Sequence, residues 1–220
     1  MQKAIDISAQ SFKEILPLIE PGVSERAIGA KLDYLFKMNG GDGPSFETIV
    51  ASGYRGSWAH GVASDKKIQK GELIVIDFGS FYHGYTADIT RTVALGHVEP
   101  ELEKIYYIVL EAQKRGIAAA IAGNTGKDID QAGRNYIREQ GYGEYFGHGI
   151  GHGIGLEVHE LCTPAMPYSK EVMKNNMAIT VEPGIYLPDR GGVRIEDDVL
   201  IKDNHPYVMS QLPKDELLIL

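Results

Sequence analysis

Apolar residues recur at helical spacing over residues 3–19, through Ile5, Phe12, Ile15, Leu16 and Ile19. Pro21-Gly22 stops that helix, and Ser24 is placed to cap a second one that runs to Met38 and ends at Asn39-Gly40-Gly41. Residues 42–61 are rich in turn formers and hold one short strand, Thr48-Ile49-Val50-Ala51. The pattern then changes. Glu72 to Phe81 carries the apolar run Leu73-Ile74-Val75-Ile76, His83-Gly84 turns the chain, and Tyr85 to Leu95 forms a second strand. Pro100 opens a long helix to about Ala122, a position that suits proline. Thr125 caps another helix to about Gln140, which Gly141 ends. Further strands are expected at Met177–Glu182, at Val193–Lys202 and from Pro206 to the C-terminus.

This order contains a repeat. Residues 22–40 laid on 123–141 pair Gly22 with Gly123, Ser24 with Thr125, Arg26 with Lys127, Ile28 with Ile129, Lys37 with Arg138 and Gly40 with Gly141. Downstream, Val75-Ile76-Asp77-Phe78-Gly79 lies on Thr180-Val181-Glu182-Pro183-Gly184, and His60 corresponds roughly to His159. Each half reads helix, helix, histidine-bearing loop and two-stranded ribbon. Two pseudo-repeats, about 1–98 and 99–220, predict one domain with pseudo-twofold symmetry, because either half alone is too small to bury its faces.

Composition narrows the function. A net charge of −8 argues against nucleic acid or an anionic membrane surface as a partner. Cys162 is the one cysteine, so no internal disulfide forms and a reducing cytoplasm is the expected compartment. The first residues carry no signal-peptide core, and no apolar run approaches membrane-spanning length.

Four carboxylates stand among strongly apolar strand residues: Asp77 and Asp88 in the first ribbon, Glu182 and Glu196 in the second. Buried carboxylates are costly unless paired or bound to metal, and four that the repeat relates would repel one another. Divalent cations are the simplest compensation. The stretch from His148 to Glu160 holds three histidines, separated by glycines at 147, 149, 151, 153 and 155 that cannot sustain a helix. It reads as extended chain, with His148 and His152 on one face and His159 on the other. Four carboxylates and an imidazole make an oxygen-rich donor set that favours Mn²⁺, Co²⁺ or Fe²⁺ over a structural zinc site. Five ligands suit two carboxylate-bridged ions, about 3.5–4 Å apart, and the chemistry of such a pair is hydrolysis of an amide or ester. Competing motifs fail: position 163 is Thr, so there is no His-Glu-x-x-His, and no Gly-x-Gly-x-x-Gly is present. Cys162 reads as packing rather than as a nucleophile.

Ile76-Asp77-Phe78-Gly79, Ala87-Asp88-Ile89-Thr90-Arg91, His148-Gly149-Ile150-Gly151-His152, Gly155-Leu156-Glu157-Val158-His159, Val181-Glu182-Pro183-Gly184-Ile185-Tyr186 and Val193-Arg194-Ile195-Glu196-Asp197 together resemble the metallopeptidase family of Xaa-Pro dipeptidases, aminopeptidase P, methionine aminopeptidases and creatinase. The resemblance covers essentially the whole chain. It implies the α+β pita-bread fold, a curved antiparallel sheet backed by helices, and a site for two divalent ions, manganese foremost, with Co²⁺, Fe²⁺ or Zn²⁺ as alternatives. By resemblance Asp77 holds one ion and His152 the other, Asp88 and Glu196 bridge, and Glu182 binds an ion and takes a proton from water. His159 stabilises the tetrahedral intermediate or protonates the leaving nitrogen, His148 and His60 position substrate, and Arg194 orients Glu196. The fourteen-residue spacing from Glu182 to Glu196 and the phrase Val-Glu-Pro-Gly-Ile-Tyr are similar to the Xaa-Pro branch. The implied substrates are short peptides with proline second, and a homodimer is compatible. Two departures stand out. The N-terminal domain usual in that branch is absent from this chain, and no arginine follows His159-Glu160, which weakens the case for a strict dipeptidase. The alternatives are a methionine aminopeptidase, and a non-catalytic or metal-free creatinase-like homologue.

Overall fold

Pro17 ends the first helix sooner than its apolar spacing implies, because it has no N–H to continue the ladder. In the computed structural model, which describes residues 1–160 and 167–220, helix α1 covers Gln2–Ile15 and gives way to a 3₁₀ turn at Leu16–Leu18. Cys162 lies outside the described residues. Helix α2 (Glu25–Met38) starts at Ser24, whose hydroxyl accepts the Ala27 N–H at 3.2 Å. Strands β1 (Gly43–Pro44), β2 (Ile49–Ser52), β3 (Glu72–Phe78), β4 (Ser80–Phe81) and β5 (Ile89–Leu95) follow. Helix α3 spans Pro100–Ala119, and α4 (Gly126–Glu139) opens on a capping box between Thr125 and Asp128. The chain closes with β6 (Ala178–Val181), β7 (Gly184–Leu187), β8 (Gly191–Arg194), β9 (Asp197–Lys202), β10 (His205–Val208) and β11 (Leu218–Ile219).

The first sheet is ordered β11-β5-β3-β2, antiparallel except for the β11/β5 pair, and the second is β10-β9-β6. Each has its own helices. Ile74, Ile76 and Phe78 of β3 pack with α1 and α2, whereas Ile179, Val199 and Ile201 join the core of α3 and α4. Because side chains alternate along a strand, Asp77 stands on the face of β3 away from α1 and α2.

Four expected strands are shorter than the pattern indicates, and the one from Pro206 to the C-terminus is reduced to β10 and the two-residue β11. The 72–81 strand breaks at Gly79, where a Cβ would run into the Ala87 carbonyl. The 85–95 strand begins only at Ile89, since Thr86 turns aside to bond Gly155. The 193–202 strand divides at Ile195-Glu196 into β8 and β9. The hairpin partner β7 is new. Of the four carboxylates, therefore, Asp77 alone lies inside a strand; Asp88, Glu182 and Glu196 stand just beyond strand ends.

Backbone bonds recur at repeat-related positions. Gly22 N–H meets the Ile68 carbonyl at 2.8 Å and Gly123 N–H meets Met173 at 3.0 Å; Arg26 N–H meets Ser64 at 2.8 Å and Lys127 N–H meets Ser169 at 2.9 Å. The register corrects one element of the sequence reading. Ile76 pairs with Arg91, and its counterpart Val181 pairs with Asp197. The repeat equivalent of Glu196 is thus Thr90, not Asp88, so the repeat does not relate all four carboxylates. The equivalents face each other: Thr90 Oγ1 donates to Glu196 Oε2 at 2.6 Å, and Arg91 pairs with Asp197 at 2.7 Å. That is what a twofold relation does to positions beside its axis. Among the described residues no helix is long and apolar enough to cross a membrane.

Candidate metal centre

All nine residues singled out in the sequence line one cavity of about 450 Å³. Asp77 reaches it from β3, Asp88 from the residue before β5, Glu182 from the residue after β6, and Arg194 and Glu196 from the end of β8 and the break that follows. His148 and His152 come from chain laid beside β6: Glu182 N–H bonds the Ile150 carbonyl at 2.6 Å, and Thr180 N–H bonds the His152 carbonyl at 2.8 Å. Gly151 allows this approach, since a Cβ there would meet the Thr180 carbonyl. His159 does not take the opposite face, as period-two alternation implies. The chain bends after Gly153, with the Glu160 carboxylate accepting the Leu156 and Glu157 N–H groups at 2.8 and 3.2 Å. The bend brings the His159 ring to 4.2 Å from that of His152, centre to centre.

The acids are buried and short of donors. Asp77, Asp88 and Glu196 are 8, 5 and 1 % exposed. Asp77 Oδ2 accepts from Arg194 at 2.7 Å and Glu196 Oε2 from Thr90. Among the described residues Asp77 Oδ1, Asp88 Oδ1 and Glu196 Oε1 have no hydrogen-bond partner. Burial, and then the charges of Glu196 and Asp77, push Asp88 well above the usual carboxylate range; burial and Glu182 do the same to Glu196. His152 Nε2 lies 3.5 Å from Asp88 Oδ2 and 3.4 Å from Glu182 Oε1. One ligand atom from each of Asp88, His152 and Glu196 falls within 4.8 Å of the other two. Buried anionic oxygens without proton donors, converging with an imidazole, fit a divalent cation.

Tyr186, in β7, is one of two members of the site that the sequence reading missed. Arg194 donates to its hydroxyl at 3.0 Å, and that hydroxyl lies 2.8 Å from His148 Nε2. His148 Nδ1 faces the Gly149 carbonyl at 2.8 Å. Burial holds His148 below its ordinary value, so Nδ1–H donates to Gly149 and Nε2 accepts the Tyr186 hydroxyl proton. Both ring nitrogens are therefore occupied by protein. Arg194 meets Thr90 Oγ1 at 3.1 Å, so its tie to Glu196 runs through that hydroxyl, while it bonds Asp77 directly. It also bonds the Ala59 carbonyl at 3.0 Å, beside His60. Thr180, also unforeseen, receives the His152 N–H at 3.0 Å. A polar residue of a strand facing the histidine chain was the available signal for Thr180; for Tyr186 it was the alternation of Gly184-Ile185-Tyr186-Leu187 ahead of a tight turn.

Comparison with known proteins gives the family and the fold. Residues 1–203 match the family model described as metallopeptidase family M24. The chain is 50 % identical over 217 residues to the Xaa-Pro dipeptidase of Pyrococcus furiosus, covering 99 % of this chain and 62 % of that protein. It is 47 % identical over 221 residues to an uncharacterized peptidase of Bacillus subtilis, covering 100 % and 62 %. Among solved structures, the Xaa-Pro dipeptidase from Bacillus anthracis superposes with a TM-score of 0.97 at 48 % identity, covering 100 % of this chain and 61 % of that one. The X-Pro aminopeptidase from Thermotoga maritima gives 0.96 at 45 %, again covering 100 % and 61 %. The fold is thus the α+β pita-bread fold of these enzymes, and the chain spans 58 to 62 % of the length of three curated relatives it matches.

Proposed function

The chain belongs to metallopeptidase family M24, and from that premise we propose that it is the catalytic unit of a dinuclear metal-dependent peptidase that hydrolyses the N-terminal Xaa-Pro bond of short peptides. The observation that carries this reading is the set of three buried carboxylate oxygens beside His152 that have no partner among the described residues. Asp77 would hold one ion and His152 the other, with Asp88 and Glu196 between them and Glu182 completing the set. The donors suit Mn²⁺ first, with Co²⁺, Fe²⁺ or Zn²⁺ as alternatives. Bound there, the ions supply Lewis acidity that acidifies water and polarises a substrate carbonyl.

The protein's own groups do the rest. Glu182 keeps about a sixth of its side chain exposed, at 17 %, against 8 % for Asp88, which suits it to take the proton of the attacking water. Burial and the neighbouring His152 lower the His159 pKa, so its ring is neutral at neutral pH. A neutral imidazole N–H is placed to donate a hydrogen bond to the oxyanion, while the proton that Glu182 takes from water is the one that goes to the leaving proline nitrogen. The Arg194–Tyr186–His148 chain fixes Asp77 from behind. A bond to proline lacks an N–H for the cavity to satisfy, and Phe46, Ile49, Ala59, Val62 and Val158 give its lining apolar surface that suits the pyrrolidine ring. The acids themselves attract the free ammonium of the first residue. With no arginine after His159-Glu160 to seize a terminal carboxylate, peptides longer than two residues are accepted as well. The cytoplasm is the compartment that suits a chain with one cysteine.

The test is a titration of purified protein with Mn²⁺, Co²⁺ and Zn²⁺ against Xaa-Pro dipeptides, Xaa-Pro-Xaa peptides and Met-Ala peptides. Cleavage confined to the proline series supports the reading. Metal-replete protein that cleaves no Xaa-Pro peptide and binds fewer than two ions per chain defeats it, and preference for Met-Ala turns it into a methionine aminopeptidase.

A further inference from the structure

Glu25 begins α2, and it is completely buried. A carboxylate in that place is costly unless donors surround it. Ser52 approaches Oε1 through its backbone N–H and its hydroxyl, both at 2.8 Å. Oε2 accepts the Ser64 N–H at 3.2 Å, the Ser64 hydroxyl at 2.6 Å and the Arg55 guanidinium. Ser52 and Ser64 are the two ends of the segment that carries Ala59 and His60 to the cavity. Arg55 spans the inside of the same segment by donating to the Val62 carbonyl at 2.8 Å. Between those ends the regular structure is one 3₁₀ turn, Gly53–Ser57, and apart from a few local bonds and the Val62 bridge to Ile49 it is this anion that ties the two ends together. Lys66 extends the network, donating to Ser52 Oγ at 2.9 Å and to both oxygens of Glu72 at 2.8 Å.

Glu25 itself does not line the cavity. Its influence arrives at two points, the Ala59 carbonyl held by Arg194 and the His60 side chain. Nor does the start of the helix require it. The repeat equivalent of Glu25 is Gly126, which begins α4 with no side chain at all. The carboxylate is present in the half whose loop it ties and absent from the half where that start is made without it.

We propose that Glu25 is a positioning residue for the peptidase reaction: it closes the 52–64 segment and thereby sets where His60 and the Ala59 carbonyl stand over the acids. The kinetic part of this rests on the function proposed above; the closing of the segment does not.

Two measurements test it. Amide hydrogen exchange is compared between the full wild-type chain and Glu25→Gln, which keeps the side chain's size and removes its charge. The N–H groups of Trp58, Gly61 and Val62, bonded within the segment, should exchange at least about tenfold faster, with β3 and β5 unchanged. In the kinetic arm, Glu25→Gln should lower kcat/KM on an Xaa-Pro dipeptide about tenfold while bound Mn²⁺ stays constant. The same change made in a His60→Ala background should cost clearly less than about tenfold, the remainder arriving through the Ala59 carbonyl, and in a His148→Ala background about tenfold again. If Glu25→Gln does not accumulate as folded protein, Ser64→Ala, which removes the 2.6 Å bond and keeps the ion pair, is taken through the same set. Unchanged exchange in the segment, or equal losses in the two histidine backgrounds, overturns the proposal. Wild-type protein inactive on every Xaa-Pro peptide refutes the peptidase reading instead, and the exchange result then decides the segment-closing role alone.

Discussion

Glu196 and Asp197 are adjacent, equally buried and oppositely surrounded. Asp197 accepts from Arg91 and from the Ser210 hydroxyl at 2.7 Å each, from Gln113 at 2.8 Å and from the Lys214 ammonium. Burial alone would raise its pKa; Arg91 and Lys214 more than reverse that and hold it below the usual range. Glu196 has one hydroxyl donor and one bare oxygen, and its pKa rises. Burial therefore does not mark function by itself. An acid that the protein neutralises from its own side chains holds the fold together, here by tying the C-terminal segment of Lys214 to the sheet. Glu196 lines the cavity with no cation of the protein's own bonded to it among the described residues, the state that the proposed metal would relieve.

Removal of the outside cation should have the largest effect. Chelation is expected to lower activity by at least about 10³-fold, with recovery on adding Mn²⁺, and to lower the melting temperature because bound metal stabilises the fold by roughly 4 kcal/mol at a thousand times its Kd. Activity that survives chelation would erase the distinction between the two acids.

Exchanging the acids one at a time sharpens it. Glu196→Gln should cost about 10³-fold in kcat/KM, yet leave the chelated protein no less stable in urea than the chelated parent, since a repulsion is relieved. Asp197→Asn should behave inversely. It leaves Arg91 and Lys214 partly uncompensated and should cost about 3–5 kcal/mol of folding stability, with metal binding retained. A smaller effect is expected of Tyr186→Phe, which breaks the link from Arg194 to His148: about tenfold in kcat/KM, with the metal complement intact.

The smallest effect is a pH dependence. Asp88 and Glu196 have folded pKa values above their ordinary 3.8 and 4.5. Their contribution to the stability of the stripped protein is fully present below those ordinary values and is lost as pH rises through the raised ones. Chelated wild type should accordingly gain on chelated Asp88→Asn as pH falls through the raised value of Asp88, with the full gain, roughly 1.4 kcal/mol for every tenfold by which folding tightens the acid's hold on its proton, reached only below its ordinary 3.8. Parallel melting curves across that range would place the two acids in ordinary surroundings.

The helices, the cavity's acids and its histidines were legible in the sequence because each carries a local signal: 3.6-residue spacing, cap residues, or a charge inside an apolar strand. What depends on distant pairing was not. The breaks at Gly79 and Ile195 follow from close backbone approach and from ladder ends, which leave no mark in an apolar run. Tyr186 looks like an ordinary strand aromatic until β8 brings Arg194 beside it. Thr90 became the counterpart of Glu196 only through register, because aligning acid with acid ignores which residues face each other. Glu25 reads as an unremarkable first-turn acid, favourable to a helix dipole, and its burial is set by a loop more than twenty-five residues away.

The central claim is that Glu196, unlike Asp197, is reserved for a metal. Elemental analysis of Mn²⁺ bound per chain, after dialysis of wild type, Glu196→Gln and Asp197→Asn, tests it most directly. The expected result is two ions for wild type, two for Asp197→Asn, and fewer than two for Glu196→Gln. Two ions retained by Glu196→Gln, or lost from folded Asp197→Asn, would contradict it.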